Sequence, residues 1–167
     1  MKTIVLGVGN PILSDDGVGI QVAQQIKQRI NDPNIVVEEA LTAGMNLLDL
    51  ILGYDKAIII DAVKTCTTRN GEVHRYKLSD LSTIHSCNPH DVSLSEAITL
   101  AKKLGEERIP HEIIIIGISM TEIPYEFGEN LSETFTAAIP IAIEMVLAEI
   151  NNKKTISMKR TNYYINT

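Results

Sequence analysis

The stretch Gly7-Val8-Gly9-Asn10-Pro11-Ile12-Leu13-Ser14-Asp15-Asp16-Gly17-Val18-Gly19 decides how the rest of the chain reads. An apolar run, Ile4-Val5-Leu6, precedes it and an amphipathic run, Val18 to Ile30, follows it, which is the pattern of strand, tight loop and helix. Val18, Val22, Ile26 and Ile30 recur at helical spacing and form the buried stripe of a helix expected from about Asp15 to Ile30. Two adjacent carboxylates, Asp15 and Asp16, stand at its start. Ser14 or Asp15 can cap the helix, because free N–H groups and the helix dipole favour an acceptor there. A pair of acids with glycines on both sides of Val18 exceeds what a cap requires. Glycines beside carboxylates remove side chains and let another backbone or a ligand come close.

The same glycines invite a dinucleotide reading, and the residues reject it. In G-x-G-x-x-G the third glycine opens the helix; Gly7 and Gly9 fit, but Ile12 holds the third position. Asp15 and Asp16 would also repel a pyrophosphate at the helix start and suit a cation instead. The phosphate-loop pattern is absent.

With 167 residues the chain suits one domain around one core. The net charge of −6 argues against a sequence-independent nucleic-acid binder. No apolar run approaches the ~20 residues that span a bilayer, and the first strand starts at once, so a cytoplasmic protein without membrane contact is expected. Cys66 and Cys87 belong to no C-x-x-C pair and read as free thiols; a nucleophilic Cys87 beside His85 or His90 is the lesser reading.

From Lys2 to Val8 the residues do not alternate, so this first strand is expected to be buried on both faces. A second strand runs from Ile35 to near Leu41, and a short helix from Met45 to Leu52 turns Leu47, Leu48 and Ile51 inward. Ala57-Ile58-Ile59-Ile60 is a central strand ending on Asp61. A polar loop, Lys64 to Gly71, leads to an alternating edge strand, Glu72 to Leu78, in which His74 reads as a surface residue. After an irregular segment, Ser79 to Pro89, a helix opens near Ser93, with Ser93 and Glu96 as a capping box and Leu94, Ile98 and Ala101 inward. His90 then lies on the loop before that helix. Glu112 to Ile118 is another central strand, with His111 at its far end from the other candidates, and a loop follows from Gly117 to Gly128. The last helix runs from about Ser132 to Ile150, with Phe135, Ile139, Ile143 and Val146 or Leu147 inward. Residues 151–167 read as a polar, basic, poorly ordered tail behind a domain over residues 1–150. This order predicts an α/β fold: a single three-layer domain with a mostly parallel, twisted five-stranded sheet, helices on both faces and one antiparallel edge strand.

In such sheets ligands bind at the carboxyl ends of the strands. Asp16, Asp61 and His90 converge there. Two carboxylates and one imidazole make an open site for a divalent transition ion such as zinc or nickel, rather than calcium. Residues so far apart in sequence carry no spacing signature of their own.

The motifs resemble those of a known family. Gly7-x-Gly9-Asn10-Pro11 with Asp15-Asp16-Gly17-Val18-Gly19 is similar to the opening motif of the hydrogenase maturation proteases, the endopeptidases that trim the C-terminus of the large subunit of NiFe hydrogenases. Glu39-Ala40-Leu41-Thr42-Ala43-Gly44 is similar to that family's Asp-Gly-Gly-Thr-x-Gly segment, Ile60-Asp61-Ala62 to its acidic residue after the third strand, and Pro89-His90-Asp91-Val92-Ser93-Leu94 to its histidine segment. Glu39 stands where the family usually has Asp, and Ala40-Leu41 replace two glycines. The resemblance implies that Asp16, Asp61 and His90 are the catalytic residues and contact nickel, with Glu39, Thr42 and Gly44 behind them or against substrate. It implies nickel carried by the partner, a hydrogenase large-subunit precursor, with zinc or cadmium able to stand in for it in crystals. It also implies an aspartic-type endopeptidase that cuts the C-terminal extension only after nickel insertion. The alternative is a metal-binding chaperone or sensor of hydrogenase assembly that does not cut. The residues contain no Ser–His–Asp set and no H-E-x-x-H motif, so the group that activates water stays open.

Overall fold

Strand β1, Thr3–Val8, is the axis of the molecule, with all six residues buried. The computed structural model describes residues 1–41, 45–65, 68–78, 89–122 and 127–151, and only the backbone of 45 and 89–93. A 3₁₀ turn, Ser14–Gly17, leads from β1 into helix α1, Val18–Arg29. Then follow β2 (Ile35–Ala40), α2 (Met45–Ile51), β3 (Lys56–Lys64), β4 (Val73–Lys77), α3 (Pro89–Lys103), β5 (Glu112–Met120) and α4 (Glu133–Asn151). The strand order is β2-β1-β3-β5-β4. β1, β2, β3 and β5 are parallel, and β4 joins the edge antiparallel to β5. The expected α/β sheet and its antiparallel edge are both present.

Alternation along the strands divides the core in two. Val5, Ile58, Ile60, Ile114 and Ile116 face α1 and α4, where Val22, Ile26, Phe135, Ile139, Ile143 and Val146 meet them. Ile4, Leu6, Ile59 and Ile115 face α2 and α3, against Leu47, Leu48, Ile51, Leu94, Ile98 and Ala101. Each aliphatic side chain so buried contributes about 1.5–3 kcal/mol, enough to hold β3 and β5 with helices on both sides.

Several boundaries differ from the sequence reading. β3 continues three residues beyond Asp61, because Ala62 and Val63 are buried and pair with Ile118 and Ser119. β5 likewise runs through Gly117 to Met120, so the loop after it begins at Thr121 rather than at Gly117. α3 opens at Pro89, whose missing N–H suits the first helical turn. Ser93 and Glu96 therefore lie inside the helix rather than in a capping box at its start. Of the expected tail, residues 151–167, Asn151 closes α4 and residues 152–167 lie outside the described residues, as do Cys66, His85 and Cys87.

At the amino edge of the sheet a buried charge network ties α4 to the strands. Lys56 is 1% exposed. Its Nζ lies 3.0 Å from Glu112 Oε2 and 3.3 Å from Glu149 Oε2, and donates to the Glu149 carbonyl at 3.0 Å. Arg75 Nε donates to Glu149 Oε1 from the other side. His111, exposed at this edge, stays away from the other candidates, as expected.

Candidate active site at the carboxyl edge of the sheet

The loop after β1 is fixed by its own backbone. Leu13 N–H donates to Asn10 O at 3.1 Å, and Asp16 N–H to Leu13 O at 3.1 Å. Asp16 is half-buried. Its Oδ2 accepts the Asn10 N–H at 2.8 Å. Asp16 is thus held from inside the loop that carries it. Asp15 points elsewhere: its Oδ1 accepts the N–H of Ser132 at 2.6 Å, just ahead of α4. Among the described residues no side chain caps the 3₁₀ turn or α1. The expected cap by Ser14 or Asp15 is replaced by this tie between the two helices. Ser14 has a left-handed backbone, φ 47°, a strain of about 1–3 kcal/mol for a residue with a Cβ. Two bonds to the incoming loop hold it there: Ser14 N–H to Gly128 O at 2.6 Å and Gly128 N–H to Ile12 O at 2.9 Å.

The glycines make room for backbone. A Cβ on Gly19 would fall on the carbonyl oxygens of Val8 and Ile60, and one on Gly9, at φ 143°, on the carbonyl of Asp16. The first turn of α1 therefore sits directly on β1 and β3, and the Ser14–Gly17 turn lies against β3. That contact brings the carboxylate pair to the strand of Asp61.

Asp61 is inside β3, in register with Gly117 of β5, and 7% exposed. By alternation it shares the α2/α3 face with Ile59. β4 ends at the amino edge and β5 begins there with Glu112, so α3, packed over this face with its carboxyl end leading into β5, turns its first residues and the backbone of His90 toward the carboxyl edge. The His90 side chain lies outside the described residues. Glu39 is exposed on β2, in register with Gly7 and hence with Ile60. Alternation puts it with Val37 on the α1 face, opposite to Asp61. Thr42 and Gly44 lie outside the described residues. Among the described residues no three His, Cys, Asp or Glu side chains form a group able to hold a metal; Asp16 and Asp61 are the two members of the expected set whose side chains are placed.

Register adds a neighbour that alternation alone had left on the surface. His74 pairs with Gly117 and so shares a row with Asp61. It is half-buried, with Nε2 3.3 Å from Glu72 Oε2. Tyr76 occupies the space where a Cβ on Gly117 would lie, with atom Cε2 2.8 Å from it. No feature of residues 72–78 alone could reveal this, because it depends on which strand β4 joins.

Comparison with known proteins finds relatives over most of the chain. A family model described as hydrogenase maturation protease matches residues 20–149, beginning just past Gly19. The hydrogenase 2 maturation protease of Escherichia coli is 27% identical over 163 residues, covering 96% of this chain and 97% of that protein. Protein FrxA of Pyrococcus furiosus is 30% identical over 143 residues, 83% of this chain and 97% of that protein. The solved structure of the hydrogenase-maturating endopeptidase HybD from Escherichia coli superposes with a TM-score of 0.76 at 27% identity, over 91% of this chain and 93% of that one.

Proposed function

The chain belongs to the hydrogenase maturation proteases, and from that premise we propose that it is a nickel-dependent endopeptidase. It removes the C-terminal extension of a NiFe hydrogenase large-subunit precursor after nickel has been inserted, and it works in the cytoplasm. The observation that carries the reading is the packing of the Ser14–Gly17 turn against β3, which brings Asp16 and Asp61 to one edge of the sheet. Two carboxylates and an imidazole are a donor set for a divalent transition ion, and the start of α3 supplies His90 at that same edge. Asp16, Asp61 and His90 thus contact nickel that arrives as part of the substrate, and nickel supplies the Lewis acidity that marks a filled precursor.

The chain's own residues then position the peptide. The Asn10 N–H holds Asp16 Oδ2 at 2.8 Å, which keeps that carboxylate turned into its loop without help from substrate. Asp61, on a central strand between β1 and β5, cannot move without the sheet. Fixed acceptors of this kind suit orientation of a scissile peptide and of the water that attacks its carbonyl. Glu39, on the α1 face of β2 and opposite to Asp61, serves contact with substrate rather than support of the acids.

Asp16→Asn tests the reading. The substitution keeps shape and removes charge, so precursor processing is lost while circular dichroism and Tm stay unchanged. Processing at the unaltered rate would contradict the assignment of Asp16. Binding of precursor without cleavage by the unaltered protein would favour the chaperone role.

A further inference from the structure

Three of the large apolar side chains exposed among the described residues lie on loops at the carboxyl edge: Ile12 (49%), Leu41 (71%) and Phe127 (81%). The backbone joins them. Gly128 N–H donates to Ile12 O at 2.9 Å, which sets Phe127 beside Ile12. Ala40 pairs with Val8, and its carbonyl accepts the Gly9 N–H at 3.3 Å, which sets Leu41 beside the same loop. Apolar groups left in water on three separate loops, next to a site rather than scattered, mark a surface made to be covered. Their chain neighbours are of one sign. Asp15 follows Ile12, Glu38 and Glu39 precede Leu41, and Glu129 follows Phe127, while no Lys or Arg lies within three residues of any of them in the sequence.

We propose that Ile12, Leu41 and Phe127 are the docking surface for the precursor segment next to the scissile bond. That segment is an extended peptide that presents apolar side chains with Lys or Arg beside them. The proposal rests on the protease reading above and adds the recognition that reading lacks. The apolar trio supplies contact area, and the carboxylate fringe selects positive charge and speeds encounter. Because Ile12 lies on the loop that also carries Asp16, a segment seated on the trio has its backbone led to the acids.

The test is steady-state processing of the nickel-loaded large-subunit precursor by Ile12→Ser, Leu41→Ser and Phe127→Ser, singly and combined. Phe127→Ser raises KM about tenfold, the scale of a central aromatic contact, with kcat and Tm unchanged because the side chain is exposed in the free protein. Added salt raises KM further, as expected for charges that face solvent. An unchanged KM in the triple variant, with processing still running, would overturn the docking surface and leave the protease reading intact. No processing by the unaltered protein would overturn the protease reading and this proposal with it. A dimer of the free chain, dissolved by the same substitutions, would assign the surface to a second copy and likewise overturn it.

Discussion

Replacing Gly19 by alanine sets two rules against each other. Gly19 is inside α1, and on helix propensity alone alanine there should stabilise by about 1 kcal/mol. The packing gives the opposite sign. The new Cβ would lie closer than 3.0 Å to two carbonyl oxygens, those of Val8 on β1 and Ile60 on β3. Both are backbone atoms of central strands, so neither can swing away. α1 must lift from the sheet and loosen Val18, Val22, Ala23 and Ile26, all buried beneath it. Overpacking of this kind costs about 1–3 kcal/mol, and with two rigid obstacles the upper end applies. Subtracting the propensity gain leaves a net loss of about 2 kcal/mol, a Tm lower by roughly 4–8 °C for a chain of this length. The Ser14–Gly17 turn moves with the helix, so processing falls too. Thermal unfolding followed by circular dichroism reads the effect. A Tm equal to or above that of the unaltered protein would refute the reasoning that the glycines serve close backbone packing.

Glu149→Ala should cost ~3 kcal/mol, because it strips one carboxylate from the buried Lys56 ammonium and leaves Glu112 as its remaining acidic partner. Urea unfolding checks it, and a loss below about 1 kcal/mol would show that the network contributes little. Asp61→Asn, which changes charge at nearly constant volume, should abolish processing. Glu39→Gln, on the opposite face, should leave kcat within about threefold, less than 1 kcal/mol of transition-state stabilisation. Single-turnover cleavage compares the two, and equal losses would contradict the separation by face.

The fold was legible because its central strands carry little but aliphatic residues and its helices repeat at 3.6. Ile58 to Ile60 and Ile113 to Ile116 could only be buried strands, and Val18, Val22 and Ile26 lie where the helical stripe put them. A charged residue and a proline misled at the ends. Asp61 read as a stop, yet pairing with β5 carries β3 through it to Lys64. Pro89 read as part of a loop and instead opens α3. Of the candidate site, Asp16 was visible from its glycine setting and Asp61 from its place after an apolar run. What the glycines accommodate was not visible: at Gly19 it is the strand backbone. The roles of Asp15 and His74 were hidden for a similar reason. A bond across 117 positions to Ser132, or a shared row through Gly117, arises only once the sheet has formed.

The central claim is tested most directly by intact-mass measurement of a hydrogenase large-subunit precursor after incubation with this protein, once with nickel inserted and once without. Loss of a C-terminal peptide from the nickel-loaded precursor alone is the result expected of a nickel-gated endopeptidase. Equal cleavage of both forms would contradict the nickel gate, and no cleavage of either would contradict the endopeptidase itself.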